Sequence, residues 1–514
     1  VTRSRERDGL KNELQFAALT NFEPVWEFLH SRPRLRRFTN HALINSAVLT
    51  MPTRPNPLST LAPYTSWSSL TDRTFSSRHL PAVAARDLPD PERVADLFTR
   101  AGDGTPCPKS TVLFAYFAQW FTDGFLRSDR HVERDPRRND SRHEIDLLPL
   151  YGVTPAWTEQ LRAHEGGRLK SQTIGGAEFP PYLYDAGVKK PEFSEIQVVR
   201  PDQIPPDRFD TLFAAGSDTT NSQVGFTLLN TLFLREHNRV AGALADAYPG
   251  WDDERLFQTA RTIMIVLLIK IVIEEYINHI TPYHFRLAAD PAPFKNERWY
   301  RPNWMAIEFN LLYRWHGLIP PMLHGEPVWK TIFNPAMVVE RGVAALIDDA
   351  SHTRANRVGV MNTDPALRVV ELASIREARA VQLAPYNDYR ALASFPRVTD
   401  FDQITGDERV QRALRDLYGH VDRIEFFPGL FAEDARPNSV LPSLIGRMVG
   451  VDAFSQALTN PLLAPRVFNE ETFSPLGMEI IAGTRHLSDL LHRNIPESPG
   501  RYLVTMTREG WQRV

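Results

Sequence analysis

The sequence predicts a mainly α-helical fold with few short strands, and three observations carry that expectation. Apolar residues recur at helical spacing through long segments, notably Thr111 to Leu126, Gly225 to Ala243 and Trp251 to Ile280. Strand-like signals are confined to residues 153 to 215, where Gly166, Gly167, Gly175, Gly176 and the Pro180-Pro181 pair break the chain into turns. The 40 prolines among 514 residues mark many stiff connections between helices.

In chain order, residues 14 to 48 interleave Trp26, Phe28, Leu29, Leu35, Phe38 and Leu43 with Arg34, Arg36 and Arg37. Residues 1–50 are therefore expected as an amphipathic N-terminal helical segment, suited to packing or to a membrane interface. From Met51 to Pro63 each proline fixes its own backbone and disfavours helix in its predecessor, which predicts an extended arm. Residues 51–514 form the main domain, with no internal boundary. Within it, Thr111 to Leu126 (TVLFAYFAQWFTDGFL) is a strongly apolar helix on which Gln119 and Asp123, four apart, share a face and need partners or a ligand. Arg130 to Arg142 reads as a charged loop. The helix from Gly225 to Ala243 contains LREHNRV, whose polar run reads either as a solvated face or as part of a helix that supports the site, and His237 is not assigned to a metal. Trp251 to Ile280 starts at a cap supplied by Asp252 or Asp253 and continues as one long amphipathic helix. From Asn334 to Asn438 the chain is mainly helical.

Composition narrows the function classes. Hydrophobic residues at 42% and charged residues at 24% suit a globular protein, and a net charge of -3 argues against a nucleic-acid binder. Cys107 is the sole cysteine, so no intramolecular disulfide forms and a reducing, cytoplasmic compartment is expected. The charged start (Arg3, Arg5, Glu6, Arg7, Asp8) lacks the apolar core of a secretory signal. The longest apolar run, Ile263 to Ile269, meets Lys270 well short of a bilayer-spanning length.

The chemistry is concentrated in Glu308 to Pro320, EFNLLYRWHGLIP. If Phe309, Leu312, Trp315 and Leu318 mark a helix, Tyr313 and His316, three apart, project from one face and set a phenol beside an imidazole. A neutral imidazole is the usual axial ligand of haem iron in peroxidases, and a tyrosine near haem can lose one electron. Taken as isolated residues, the two are equally an aromatic pair packed in a core.

FAQ, LREHNR, IKIVIEEY and EFNLLYRWH together resemble the cyclooxygenase (prostaglandin-endoperoxide synthase) or fatty-acid dioxygenase branch of the animal-type haem peroxidases, from about residue 25 to residue 490. The resemblance implies a helical peroxidase fold holding haem b (iron protoporphyrin IX) between the helices that bear Asp123 and His316. It implies His316 as the proximal iron ligand and Tyr313 as the substrate-oxidising radical. It further implies a fatty-acid channel around Tyr276, Tyr283, Phe309, Leu312, Trp315, Phe454 and Ser455, with Tyr276 hydrogen-bonded to Tyr313. Gln119 and Asp123 fall on the peroxide side of the haem, Asp123 at the position of the relatives' distal histidine. There a carboxylate needs a raised pKa or a partner to serve as acid and base. Gly124 replaces a calcium-binding aspartate, and Phe427 replaces a tyrosine near the proximal histidine, so the iron ligand is expected to lack that polar neighbour. Val449 and Asn40 or His41 replace the glutamate and arginine of the channel mouth, leaving Arg36 or Arg37 as a substitute cation.

The implied activity is a haem-dependent fatty-acid dioxygenase that consumes dioxygen and peroxide. The alternatives are a peroxidase of small reductants and a haem-binding scaffold. The implied partners are a fatty acid and, through the N-terminal segment, a membrane surface; the relatives are often homodimers.

Overall fold

The computed structural model describes residues 7–52, 60–84, 86–128, 135–291, 294–301, 304–495 and 500–508. Three helices open it, α1 (Leu10–Asn21), α2 (Glu23–Ser31) and α3 (Pro33–Val48). Pro24 and Pro33 lie in the first turns of α2 and α3, where a missing N–H costs no helical hydrogen bond. Ile44 and Val48 are buried inward, whereas Phe22, Val25, Phe28, Leu35, Phe38 and Leu49 stay exposed. The expected arm at Met51 to Pro63 lies largely outside the described residues, as does the first part of the loop expected from Arg130 to Arg142. Ahead of α1, buried Asp8 pairs with Arg436 at 2.5 Å and so ties the start of the chain to a segment more than 400 residues later.

The main body is built on α4 (Pro91–Phe98), α5 (Val112–Asp123), α6 (Val224–Ala247), α7 (Asp253–Ile271), α8 (Ile307–Leu312), α9 (Arg368–Ala380), α10 (Phe426–Ala432), α11 (Ser443–Leu458), α12 (Glu470–Ala482) and α13 (Leu487–Asn494). The strands are short: β1 (Pro106–Thr111), the hairpins β2–β3 (Gln172–Ile174, Ala177–Phe179), β4–β5 (Tyr184–Asp185, Val188–Lys189) and β6–β7 (Met322–Leu323, Glu326–Pro327), and β8 (Arg354–Asn356). β1 and β8 pair antiparallel with one irregularity in register. The helical pattern wins because the sequence supplies long amphipathic runs with capped starts and few alternating ones.

α6 packs on α5, α7 and α13, and α7 on α12. The Asp252 carboxylate accepts the Arg255 N–H at 2.8 Å to start α7, and Lys270 sits in its last turn, where a cation suits the helix dipole. Ile263, Met264, Leu267, Ile269 and Ile271 are buried, each stabilising the fold by about 1.5–3 kcal/mol. Beyond Ile271 the helix widens into a π-turn, Val272–Ile277, which contains Tyr276. The run Asp253–Ile280 is long and apolar enough to cross a membrane by length and composition, yet most of it is buried inside this fold. α5 approaches α6 closely at Gly225, where a Cβ would meet the Tyr116 ring at 2.0 Å.

Two expectations are corrected. The polar run of LREHN is not a solvated face: Arg235, Glu236, His237 and Asn238 are all buried. Each finds partners, Glu236 from Arg239, Arg493 and Asn494, and His237 from the Tyr151 hydroxyl and the Gly167 carbonyl, so the cost of burial is offset. Glu308 to Pro320 is not one helix either. α8 ends at Leu312, and a separate 3-10 turn, His316–Leu318, follows.

Candidate active site

The break after α8 builds the site. Tyr313 leaves the helix at φ -98°, ψ 17°, the sparsely allowed bridge region where active-site residues are often found. Its ring stacks on Trp315 at 4.7 Å and meets Phe309 edge-on at 5.2 Å. Part of Tyr313 is open, but its hydroxyl oxygen is enclosed. Tyr276, from the π-turn, faces it amid Phe114, Phe117 and Phe121. Burial pushes both phenols above their usual range; beyond that, Asp452 raises Tyr313 and the Tyr276 hydroxyl lowers it. The two hydroxyls stand close enough to shift one another without the geometry of a full hydrogen bond.

Asp452 on α11 belongs to a buried cluster that the sequence did not disclose. Its Oδ2 lies 3.0 Å from His79 Nε2, and both side chains are almost fully enclosed. Glu308 on α8 accepts the backbone N–H of His79 at 2.9 Å and the Tyr389 hydroxyl at 2.9 Å. α8 packs directly on α11, which sets this cluster behind the phenol.

His316 sits in the 3-10 turn. Gly317 lets that turn approach the backbone at 357–359, where a Cβ would meet the Arg357 carbonyl at 3.0 Å, and Asn362 and Arg100 donate to the carbonyls of Gly317 and Ile319. The His316 side chain is 23% exposed, and its Nδ1 stands 3.1 Å from Oε1 of Glu371, a carboxylate only 1% exposed on α9. With Nδ1 facing Glu371, Nε2 is the ring nitrogen left for a metal, so the residues present fit a haem. The polar neighbour expected to be lost at Phe427 is therefore supplied from another helix. Phe427 itself stacks on Phe98 at 5.1 Å. The signal that could have found Glu371 is its spacing: with Ile375 and Ala378 it forms the i, i+4, i+7 face that α9 buries.

Asp123, which the resemblance assigns to the peroxide side, needs no apolar tolerance, because it is tied down. Its Oδ2 accepts from Arg127 Nη1 at 2.8 Å, Ser217 Oγ at 2.5 Å and Thr219 Oγ1 at 2.9 Å. Arg127 also pairs with Asp218 at 2.6 Å. Burial lowers the Arg127 pKa, but Asp123 and Asp218 more than offset it and the guanidinium is held charged. Gln119 is exposed and its Oε1 accepts from Gln223 at 2.6 Å.

Of the expected channel residues, Tyr276, Phe309 and Trp315 pack around Tyr313, and Leu312 is fully buried beside them. Ser455 is buried with its Oγ donating to the Asp452 carbonyl at 3.2 Å. Tyr283 and Phe454 line a cavity of about 170 Å³ whose walls include Phe16, Leu19, Leu43, Ile44 and Arg447. Arg36 and Arg37 do not line this cavity; Arg37 faces Asp290 at 3.8 Å on the surface. The cation that does line it is Arg447 of α11, whose guanidinium donates to the Ala393 carbonyl and the Asn12 side-chain oxygen and lies 4.5 Å over Phe395.

A family description, animal haem peroxidase, matches residues 124–500. Prostaglandin G/H synthase 2 of Equus caballus is 31% identical over 501 residues, spanning 94% of this chain and 80% of the relative. Prostaglandin G/H synthase 1 of Mus musculus is 32% identical over 499 residues with the same shares. The chain belongs to the animal haem peroxidase family. As a member of that family it is a haem-dependent oxidoreductase with haem b as its cofactor. Two solved structures share its mainly helical fold. Peroxidase A of Dictyostelium discoideum has a TM-score of 0.69 at 18% identity, covering 89% of this chain and 96% of its own. The fatty acid alpha-dioxygenase of Arabidopsis thaliana has a TM-score of 0.69 at 17% identity, covering 93% and 87%.

Proposed function

We propose that this peroxidase-family member oxygenates unsaturated fatty acids, with Tyr313 as the group that takes the hydrogen atom. Haem bound at His316 supplies the one-electron oxidant, drawn from a peroxide. The observation that carries the reading is Tyr313 itself, a phenol whose hydroxyl is enclosed against Tyr276 only three residues from the imidazole. Once oxidised, the Tyr313 phenoxyl takes a hydrogen atom from an activated C–H of the acyl chain and becomes a phenol again. Dioxygen adds to the carbon radical, and the resulting peroxyl takes a hydrogen atom from Tyr313, which closes the cycle with a lipid hydroperoxide. Tyr276 holds the phenol's orientation, and the aromatic wall of Phe114, Phe117 and Trp315 keeps water from the radical.

The substrate head group fits the cavity that Arg447 enters. No carboxylate lies within ion-pair distance of Arg447 among the described residues, so a fatty-acid carboxylate would gain a charge-assisted hydrogen bond there. A cavity of about 170 Å³ takes the head-group end rather than a whole chain, for which α1 and α3 must part. Their exposed apolar side chains suit contact with a membrane surface in a cytoplasmic setting, from which an acyl chain would enter.

The test is oxygen uptake and mass spectrometry with mixed fatty acids under labelled dioxygen. Labelled hydroperoxide that disappears in Tyr313→Phe is the expected result; label in no lipid product sinks the reading. Exposed Gln119 favours a second reading, a peroxidase of small reductants, whose activity would survive Tyr313→Phe.

A further inference from the structure

We infer that Glu371 is a positioning residue for the iron ligand: its carboxylate accepts the Nδ1–H of His316, fixes the ring so that Nε2 faces the metal, and sets the iron's electron density. The inference rests on the haem reading of His316. Three observations carry it. Glu371 Oε1 lies 3.1 Å from His316 Nδ1, at hydrogen-bond distance though short of full alignment, as apo sites commonly are. The carboxylate is buried, and its Oε2 has no hydrogen-bond partner in the structure. A buried carboxylate oxygen left without a donor costs on the order of 1–3 kcal/mol or more, so Thr363 alone does not satisfy this carboxylate. Third, Thr363 Oγ1 donates to the same Oε1 at 2.6 Å, which holds the carboxylate against the ring from the far side.

Chemically, a carboxylate behind an axial imidazole makes the ligand a stronger donor than an amide or a carbonyl does, and axial ligand basicity is one of the protein's levers on haem potential. More electron density on the iron favours its ferric form and heterolysis of a bound peroxide. That would bear on Asp123, which is held by Arg127, Ser217 and Thr219 and is a poor proton shuttle. A strongly donating His316 would offset a weak acid–base group at Asp123.

Two measurements test this. In the haem-free wild-type protein with ring-labelled histidine, NMR should show His316 protonated on Nδ1 and bare on Nε2; the opposite tautomer overturns the inference. In the haem-loaded protein, Glu371→Gln should shift the ferric/ferrous equilibrium at least tenfold toward ferrous, a rise of about 59 mV for one electron, and weaken the iron–histidine stretch. An unchanged potential and stretch with an intact Soret band overturns it. Should Glu371→Gln not take up haem, Thr363→Val decides: it removes the competing donor to Oε1, so the potential should fall, and no change counts against the inference. His316→Ala separates the premises, because a wild-type Soret band in that variant defeats the haem reading instead.

Discussion

Asp123 shows most directly how hydrogen-bond partners limit what a side chain can do. A proton shuttle must give and take a proton during turnover, but Oδ2 here already accepts three hydrogen bonds, one from a guanidinium. Replacing Asp123 with His restores an imidazole, and peroxide-dependent oxidation of a small reductant should rise at least tenfold, read by stopped-flow absorbance; an unchanged or lower rate contradicts that account. Asp452 carries a second expectation. Its pairing with His79 is enclosed on both sides, and removing one member takes a buried partner from the other. Asp452→Ala should therefore lose about 3–5 kcal/mol of stability in urea denaturation. A loss below about 1 kcal/mol, the worth of an exposed pair, would show that water reaches the pair. Tyr313 and His316 stood out as residue types three positions apart. The partners of each did not, because Asp452, His79 and Glu371 come from segments 55 to more than 200 residues away.

Among elements, α5 and α6 form the contact with least tolerance. Only glycine at 225 leaves room for the Tyr116 ring, whose hydroxyl bonds His324 Nε2 at 2.9 Å. Gly225→Ala should cost at least 1–3 kcal/mol in urea denaturation, since overpacking forces a helix or a ring to move; a neutral outcome would mean that the two helices separate freely. The N-terminal helices make a different prediction. Their exposed Phe28 and Phe38 are the side chains a membrane interface would bury, and Phe28→Ser with Phe38→Ser should reduce co-sedimentation with phospholipid vesicles at least fivefold. Equal binding by the double variant removes these helices as the contact. The sequence pattern revealed the helices, since amphipathic spacing is local. It did not reveal the break after Leu312, because Tyr313, Trp315 and Leu318 keep helical spacing while the turn is held by distant Asn362 and Arg100.

For the whole molecule, buried ionisable groups pull the pH dependence of stability in opposite directions. Burial holds His237 down to about 4 against its ordinary 6.5, and hydrogen bonds on both ring nitrogens keep the ring in place. Its contribution is whole above pH 6.5 and is lost, by about 3 kcal/mol, as the pH falls toward 4. Glu275 in the π-turn runs the other way: burial pushes it up to about 7 from 4.5, so its contribution is present below pH 4.5 and is lost as the pH rises through 7. The two offset each other, so the wild-type profile is a poor readout and a variant is needed. His237→Gln should be destabilised more at pH 7 than at pH 4.5, compared with wild type by urea midpoints. An equal penalty at both values would show that His237 does not titrate in this way.

Local sequence was enough for the helical class and the family, because periodicity, capping and short motifs depend on neighbours within a turn or two. It could not disclose that Glu371 stands behind His316, that Arg447 rather than Arg36 or Arg37 enters the cavity, or that LREHN is buried. Burial and charge pairing are set by which helices meet, and contacts across hundreds of residues leave no periodic trace in a single chain.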